Sequence, residues 1–198
     1  MKPLQASMDN WFVRHVAGLK TAIRIVFGIV WGIDGALKFQ PGVAQSLSGM
    51  ISDAAQGQPA WLAPWFNFWS QTVSTNPAFF ATTIGLFELA LAFALVTGFL
   101  RKIAYTGGIL LSLVIWSVPE GFGGPYGPSS TDIGTGIIYA FVFVLLLLVN
   151  ATFGPSQISL DHIIEKKWPS WIRLAEIRRL PASAPRAAGS TSAIGIQR

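Results

Sequence analysis

Four ionisable residues stand in stretches that are otherwise apolar: Arg24, Asp34, Lys38 and Glu88. An ionised group at bilayer depth costs at least about 2.5 kcal/mol on insertion scales, so each needs a partner or a task. Asp34 and Lys38 are four residues apart, the spacing at which opposite charges on a helix neutralise one another. At about 100° per residue, Arg24, Gly28, Trp31, Asp34, Gly35 and Lys38 share one face, while Ile25, Ile29, Ile33 and Leu37 lie away from it. A charged face bearing glycines belongs inside a helix bundle, where glycine lets backbones approach. Glu88 falls about ten residues, roughly 15 Å, into the second apolar run, with Ala81, Gly85 and Ala92 on its face. Two readings stand. Glu88 and Asp34 either fix one helix against another through a salt bridge, or they handle protons or the polar atoms of a ligand at a site opening outward. Arg24, near one end of its run, reaches headgroups by snorkelling.

Other chemistries are excluded. The chain has no cysteine, so disulfides, thiol redox chemistry and iron–sulfur ligation are absent. His15 and His162 lie outside the apolar runs and cannot ligate an intramembrane haem. The run GFGGPYG, 121–127, follows no strand pattern and comes with Glu120 and Asp132 in place of a lysine, unlike a nucleotide-binding loop. Without a histidine on the outer side, no Ser-His-Asp arrangement is suggested.

The elements that must hold these residues follow from composition. Of 198 residues 52% are hydrophobic and 12% charged, where soluble domains carry about 25% charged. Four runs, 21–39, 78–100, 103–118 and 133–152, approach the roughly 20 residues that cross a bilayer. The third is short, and its alternative is a buried core helix. The first 20 residues lack the apolar core and small-residue site of a signal peptide. Loops 40–77 and 119–132 contain no Lys or Arg. The N-terminal segment, the 101–102 turn and the residues after 152 hold the basic residues, so the positive-inside rule puts both termini in the cytoplasm. The expected fold is an all-α integral membrane protein of the inner (cytoplasmic) membrane. Its parts are an N-terminal segment 1–20, a four-transmembrane-helix domain 21–152 with N-in/C-in topology, a cytoplasmic basic amphipathic segment 153–180 and a disordered tail 181–198.

Within loop 40–77, Val43, Leu47, Met50, Ile51 and Ala54 recur at helical spacing, and Trp61, Trp65 and Trp69 repeat every four residues. Two short amphipathic helices are expected there, serving as an aromatic belt or as a lid. Residues 171–180 mix apolar and basic positions and suit either anionic lipid or a partner. Between the last two runs, PEGFGGPYGPSSTD (119–132) predicts a fixed turn in which Ser129 caps the last helix and Asp132 faces its positive end. Glu120 has no assigned role. Tyr126 and Asp132 distinguish a lid from a turn.

The pattern Arg24-x3-Gly28-x3-Gly32-x2-Gly35-x2-Lys38-Phe39, the mid-helix Glu88 and the run GGPYGPSSTDIGTGIIYAF resemble the DoxX/DoxD superfamily of small four-helix membrane proteins. The loop and Trp-rich outer segment are most similar to the DoxD-like small subunit of thiosulfate:quinone oxidoreductase, over about residues 24–161. The resemblance implies a membrane subunit that passes electrons from thiosulfate to a quinone beside a second, DoxA-type subunit. On that reading quinone is the cofactor, with no haem and no iron–sulfur cluster. Asp34 and Glu88 supply proton or hydrogen-bond partners, and Lys38, Trp31, Trp116, Tyr139 and Phe87 are its neighbours. Membrane lipid and a second membrane or periplasmic subunit are the expected partners, and nucleic acid is not. The competing expectation is a non-catalytic accessory subunit of a larger respiratory or oxidoreductase complex.

Overall fold

The computed structural model describes residues 2–127, 130, 132–153 and 158–177, with side chains from residue 15 onward. Every regular element among them is helical: α1 (Lys2–Leu37), α2 (Val43–Ala54), α3 (Ala63–Thr75), α4 (Pro77–Thr97), α5 (Arg101–Ser117), α6 (Thr135–Phe153), α7 (Leu160–Lys167) and α8 (Ile172–Ala175). Three are long and apolar enough to cross a membrane, over His15–Leu37, Pro77–Thr97 and Thr135–Phe153, which marks a multi-pass membrane protein. The N-terminal segment and the first span form one continuous helix. Nothing between Lys2 and Lys20 stops a helix, since Pro3 sits in its first turn. α5 is the shortest of the four long helices in the bundle, at 17 residues.

Local chemistry sets the helix ends. Asn76 caps α4 by accepting from the Phe79 amide at 3.1 Å, Pro77 opens the helix, and Gly98 closes it in the left-handed region. α4 is apolar all round, so small residues rather than an apolar stripe decide what it packs on.

Two helix pairs make up the bundle: α1 lies against α4, and α5 against α6, with lighter packing between the pairs. The expected glycine face of α1 is the one used. A Cβ on Gly28 would come within 2.9 Å of Leu95, and one on Gly35 within 3.0 Å of the Glu88 Cβ. Gly108 does the same for α5, where a Cβ would meet the Phe143 ring at 2.3 Å. Where the pairs meet, Phe27, Trp31, Tyr139 and Phe143 stack edge-on or tilted, with centroids 4.8 to 6.2 Å apart. Trp31 and Phe143 are completely buried there.

The two ends of the bundle differ. At the loop end, α2 and α3 appear as expected and enclose a second core of Ile51, Phe66, Val73 and Val118. This cap is tied down by Trp65 Nε1 donating to Ser117 O at 2.9 Å and Gln58 Nε2 donating to Gly121 O at 2.7 Å. At the terminal end, α7 and α8 fold back onto the bundle. The amphipathic segment left open in the sequence thus docks, as far as residue 177, on this chain's own helix ends. Residues 178–180 and the tail 181–198 lie outside the described residues.

Candidate functional site

The predicted pair on α1 extends to α4. Lys38 Nζ lies 3.0 Å from Asp34 Oδ1 and 3.3 Å from Glu88 Oε2. Glu88 is fully buried, whereas Lys38 and Asp34 are partly exposed. The close approach at Gly35 makes this reach possible, because the helix backbones come together where the carboxylate must meet the amine. The interhelical salt bridge expected of Glu88 is present.

Beside this seam a cavity of about 340 Å³ opens between α1, α5 and α6. Val30, Ile33 and Leu37 give it an apolar wall, while Asp34, Ser112, Glu120, Thr135 and Tyr139 bring polar groups to it. Ser112 is completely buried, and its hydroxyl has no hydrogen-bond partner among the described residues. A second cavity of about 450 Å³ lies under the α5–α6 connection, and it shares Glu120 and Thr135 with the first. Glu120 therefore stands between the two spaces.

Of the residues singled out in the sequence, Asp34 and Tyr139 line the first cavity and Asp132 the second. Lys38 and Glu88 lie on the α1–α4 seam instead, and Trp31 belongs to the aromatic core. Trp116 is committed to the turn, donating from Nε1 to Ile133 O at 2.8 Å. Phe87 is exposed on an apolar groove between α4 and α5. Tyr126 is also exposed, bonded to Phe122 O, and lines neither cavity.

The connection itself corrects the expected cap. Glu120 Oε2 accepts from the Gly136 amide at 2.8 Å in the first turn of α6. Asp132 Oδ1 instead accepts from Gly134 at 2.7 Å, before the helix starts. The residue without a role is thus the one that supports the helix N-terminus, because α6 begins at Thr135 and Asp132 lies too early to reach its amides. The expected Ser129 cap lies outside the described residues. Burial pushes the Glu120 carboxyl above the ordinary glutamate range, opposed by the Gly136 hydrogen bond and reinforced by the charges of Asp132 and Asp34.

At the terminal end lies a cluster that sequence reasoning missed. Arg101, counted there as a turn charge, is only 1% exposed. Its Nε meets Asp161 Oδ2 at 3.1 Å and its Nη2 lies 3.6 Å from Glu165 Oε1 and in direct contact with Glu176 Oε1. Asp161 also accepts from the Leu100 amide at 2.8 Å, the Arg101 amide at 3.0 Å and Trp171 Nε1 at 2.9 Å. It caps the N-terminus of α5 from sixty residues away, where the helix dipole favours a carboxylate. Asn150 Nδ2 holds Glu176 Oε2 at 2.7 Å. Burial raises the Glu176 and Glu165 carboxyls, while Arg101 draws both down. The one signal in sequence was that three acids interrupt a basic segment.

The resemblance to the DoxX/DoxD superfamily rests on the quoted residues alone, since no protein-family model, curated protein or solved structure matches the chain.

Proposed function

We propose that the chain is a four-span, N-in/C-in membrane subunit of a quinone-linked oxidoreductase, with the quinone head group taken between α1, α5 and α6. The observation that carries this reading is the buried, unpartnered Ser112 hydroxyl on the wall of a cavity also lined by Asp34, Glu120 and Tyr139. A volume of about 340 Å³ lies within the range of roughly 300–1,000 Å³ of small-molecule sites. The fourth span is α5, whose 17 residues reach about 25 Å. Its pairing with α6 and its polar anchors at both ends support that placement.

The residues fit a neutral carbonyl compound that is soluble in lipid. Ser112 and Tyr139 supply hydroxyl donors, and Val30, Ile33 and Leu37 supply an apolar wall. Asp34 and Glu120 bring carboxyl oxygens to the cavity side, and Glu120 also lines the second cavity under the loop, the direction in which a proton would leave. When bound, a quinone supplies two-electron, two-proton redox chemistry. The site does not fit thiosulfate. Two carboxylates face the cavity, and Lys38, which does not line it, is already engaged by Asp34 and Glu88. Oxidation of an anionic donor therefore belongs to a partner subunit.

Thiosulfate-dependent quinone reduction, measured in membranes with and without this chain and its partner, tests the proposal. Equal rates sink it. Ser112→Ala is expected to weaken quinone binding by about fivefold, the worth of one hydrogen bond. The accessory-subunit reading is favoured by one observation: Lys38, Asp34 and Glu88 on the α1–α4 seam are engaged among themselves, and so are Arg101, Asp161 and Glu176 at the terminal end. A stoichiometric complex from mild detergent that stays fully active with Ser112, Asp34 and Glu120 all replaced would select it.

A further inference from the structure

At the terminal end, between α1, α4 and the segment leading into α7, a pocket of about 510 Å³ is lined by Arg24 and by Ile25, Val96, Thr97, Ile158 and Ile163. Arg24 is 2% exposed. Its Nη2 donates to Ile158 O at 3.0 Å, but Nε and Nη1 have no hydrogen-bond partner among the described residues. A guanidinium offers five N–H donors and is never deprotonated, so the buried charge seeks an acceptor. The nearby carboxylates are committed elsewhere. Asp161 is filled by the Leu100 and Arg101 amides, the Arg101 side chain and Trp171, and Glu176 by Arg101 and Asn150. No carboxylate among the described residues lies within ion-pair distance of Arg24. Arg24 does not snorkel freely either, because it is clamped over the C-terminus of α4, where a Cβ on Gly98 would collide with its Nη1.

Apart from Thr97 and Ser159, the remainder of the pocket is aliphatic and open to the outside. Ile158, Ile163 and Val96 are exposed at 70%, 58% and 40%, beside the end of the membrane-length helix α4. A ligand there meets one buried cation and several aliphatic side chains that acyl chains cover. From this geometry we infer that the pocket binds the phosphate of an anionic phospholipid, with Arg24 as the phosphate-binding residue and Ile163 and Val96 against the first methylenes. In the proposed topology this is the cytoplasmic leaflet, whose anionic lipids carry the matching charge. The inference is independent of what the cavity between α1, α5 and α6 takes.

The test uses the full chain purified in a neutral detergent, with thermal stability followed during titration by dioleoylphosphatidylglycerol, dioleoylphosphatidylcholine or inorganic phosphate. For the unmodified chain, phosphatidylglycerol is expected to act at concentrations about tenfold lower than phosphatidylcholine, as a charge-assisted contact implies, and inorganic phosphate is expected to give no shift. Arg24→Gln should bring phosphatidylglycerol to the phosphatidylcholine level. Ile163→Glu, an exposed change that sets a negative charge on the pocket wall, should do the same, and it decides the matter alone if Arg24→Gln does not fold. Equal action of the two lipids on the unmodified chain, or an undiminished preference in the folded variants, overturns the inference. A matching shift with inorganic phosphate overturns the lipid assignment in favour of a soluble anion.

Discussion

Replacing Asp161 with alanine removes an acceptor that serves four donors at once: the Leu100 and Arg101 amides, Arg101 Nε and Trp171 Nε1. Asp161 is fully buried and Arg101 nearly so, hence solvent screens little of the loss. Breaking a buried pair and stranding its partner costs about 3–5 kcal/mol. Glu176 still touches Arg101, which places the expected cost near the lower end, about 3 kcal/mol. If that cost falls on the docking of 158–177, its opening equilibrium rises about 100-fold or more. Peptide-resolved hydrogen exchange of the full chain in detergent reads this directly. The Leu100 and Arg101 amides and residues 158–177 should lose protection together, while the centre of α4 stays protected. Asp161→Asn, which keeps the shape and one acceptor oxygen, should fall between the two. If residues 158–177 exchange within about threefold of the unmodified chain in Asp161→Ala, the carboxylate does not hold the segment and the assignment of the latch is wrong.

Three further changes test the other contacts. Lys38→Met strands the buried Glu88 carboxylate and should destabilise by about 2 kcal/mol, below the full cost of a buried pair because Lys38 is partly exposed; adding Glu88→Leu should recover most of that loss in thermal unfolding. Gly35→Leu forces α1 from α4, since even a Cβ would stand 3.0 Å from that of Glu88, and a cost of at least about 1–3 kcal/mol is expected; Gly107→Ala, with nothing within 4 Å, should be neutral or slightly stabilising in the same assay. The Glu120 carboxyl is raised on folding, so the folded chain holds that proton more tightly than the unfolded one. Its contribution is present below the ordinary glutamate value and is lost as pH rises through the folded value. Melting temperature measured from pH 4 to 8 should therefore fall less steeply in Glu120→Gln, and an unchanged slope would refute the assignment.

What was legible in the sequence was whatever repeats locally. The glycine face of α1, the i,i+4 pair of Asp34 and Lys38, and the two helices of the 40–77 loop all follow from spacing within one element, and all are present. Glu88 was half legible. Its depth and its demand for a partner could be read, but which α1 residue met it depended on how closely Gly35 lets the helices approach.

The groups that escaped were those whose partners lie far along the chain. Arg101 and Asp161 are sixty residues apart, and no periodicity joins them. The positive-inside rule treats Arg101 as a loop charge because it weighs residues by sign and position alone. Burial reverses that treatment: once an arginine is withdrawn from water it needs carboxylates, and the only acids after α6 are the three that the terminal segment supplies. Glu120 and Asp132 make the same point on the loop side. Both precede an apolar helix, and the choice between them turns on where the helix begins, a boundary that hydropathy locates only to within a couple of residues. A buried or boundary charge is thus better assigned by asking which opposite group or free helix amide lacks a partner than by its own neighbours in sequence. Applied to the whole bundle, that question leads to Arg24, whose two free nitrogens are not answered by any carboxylate among the described residues.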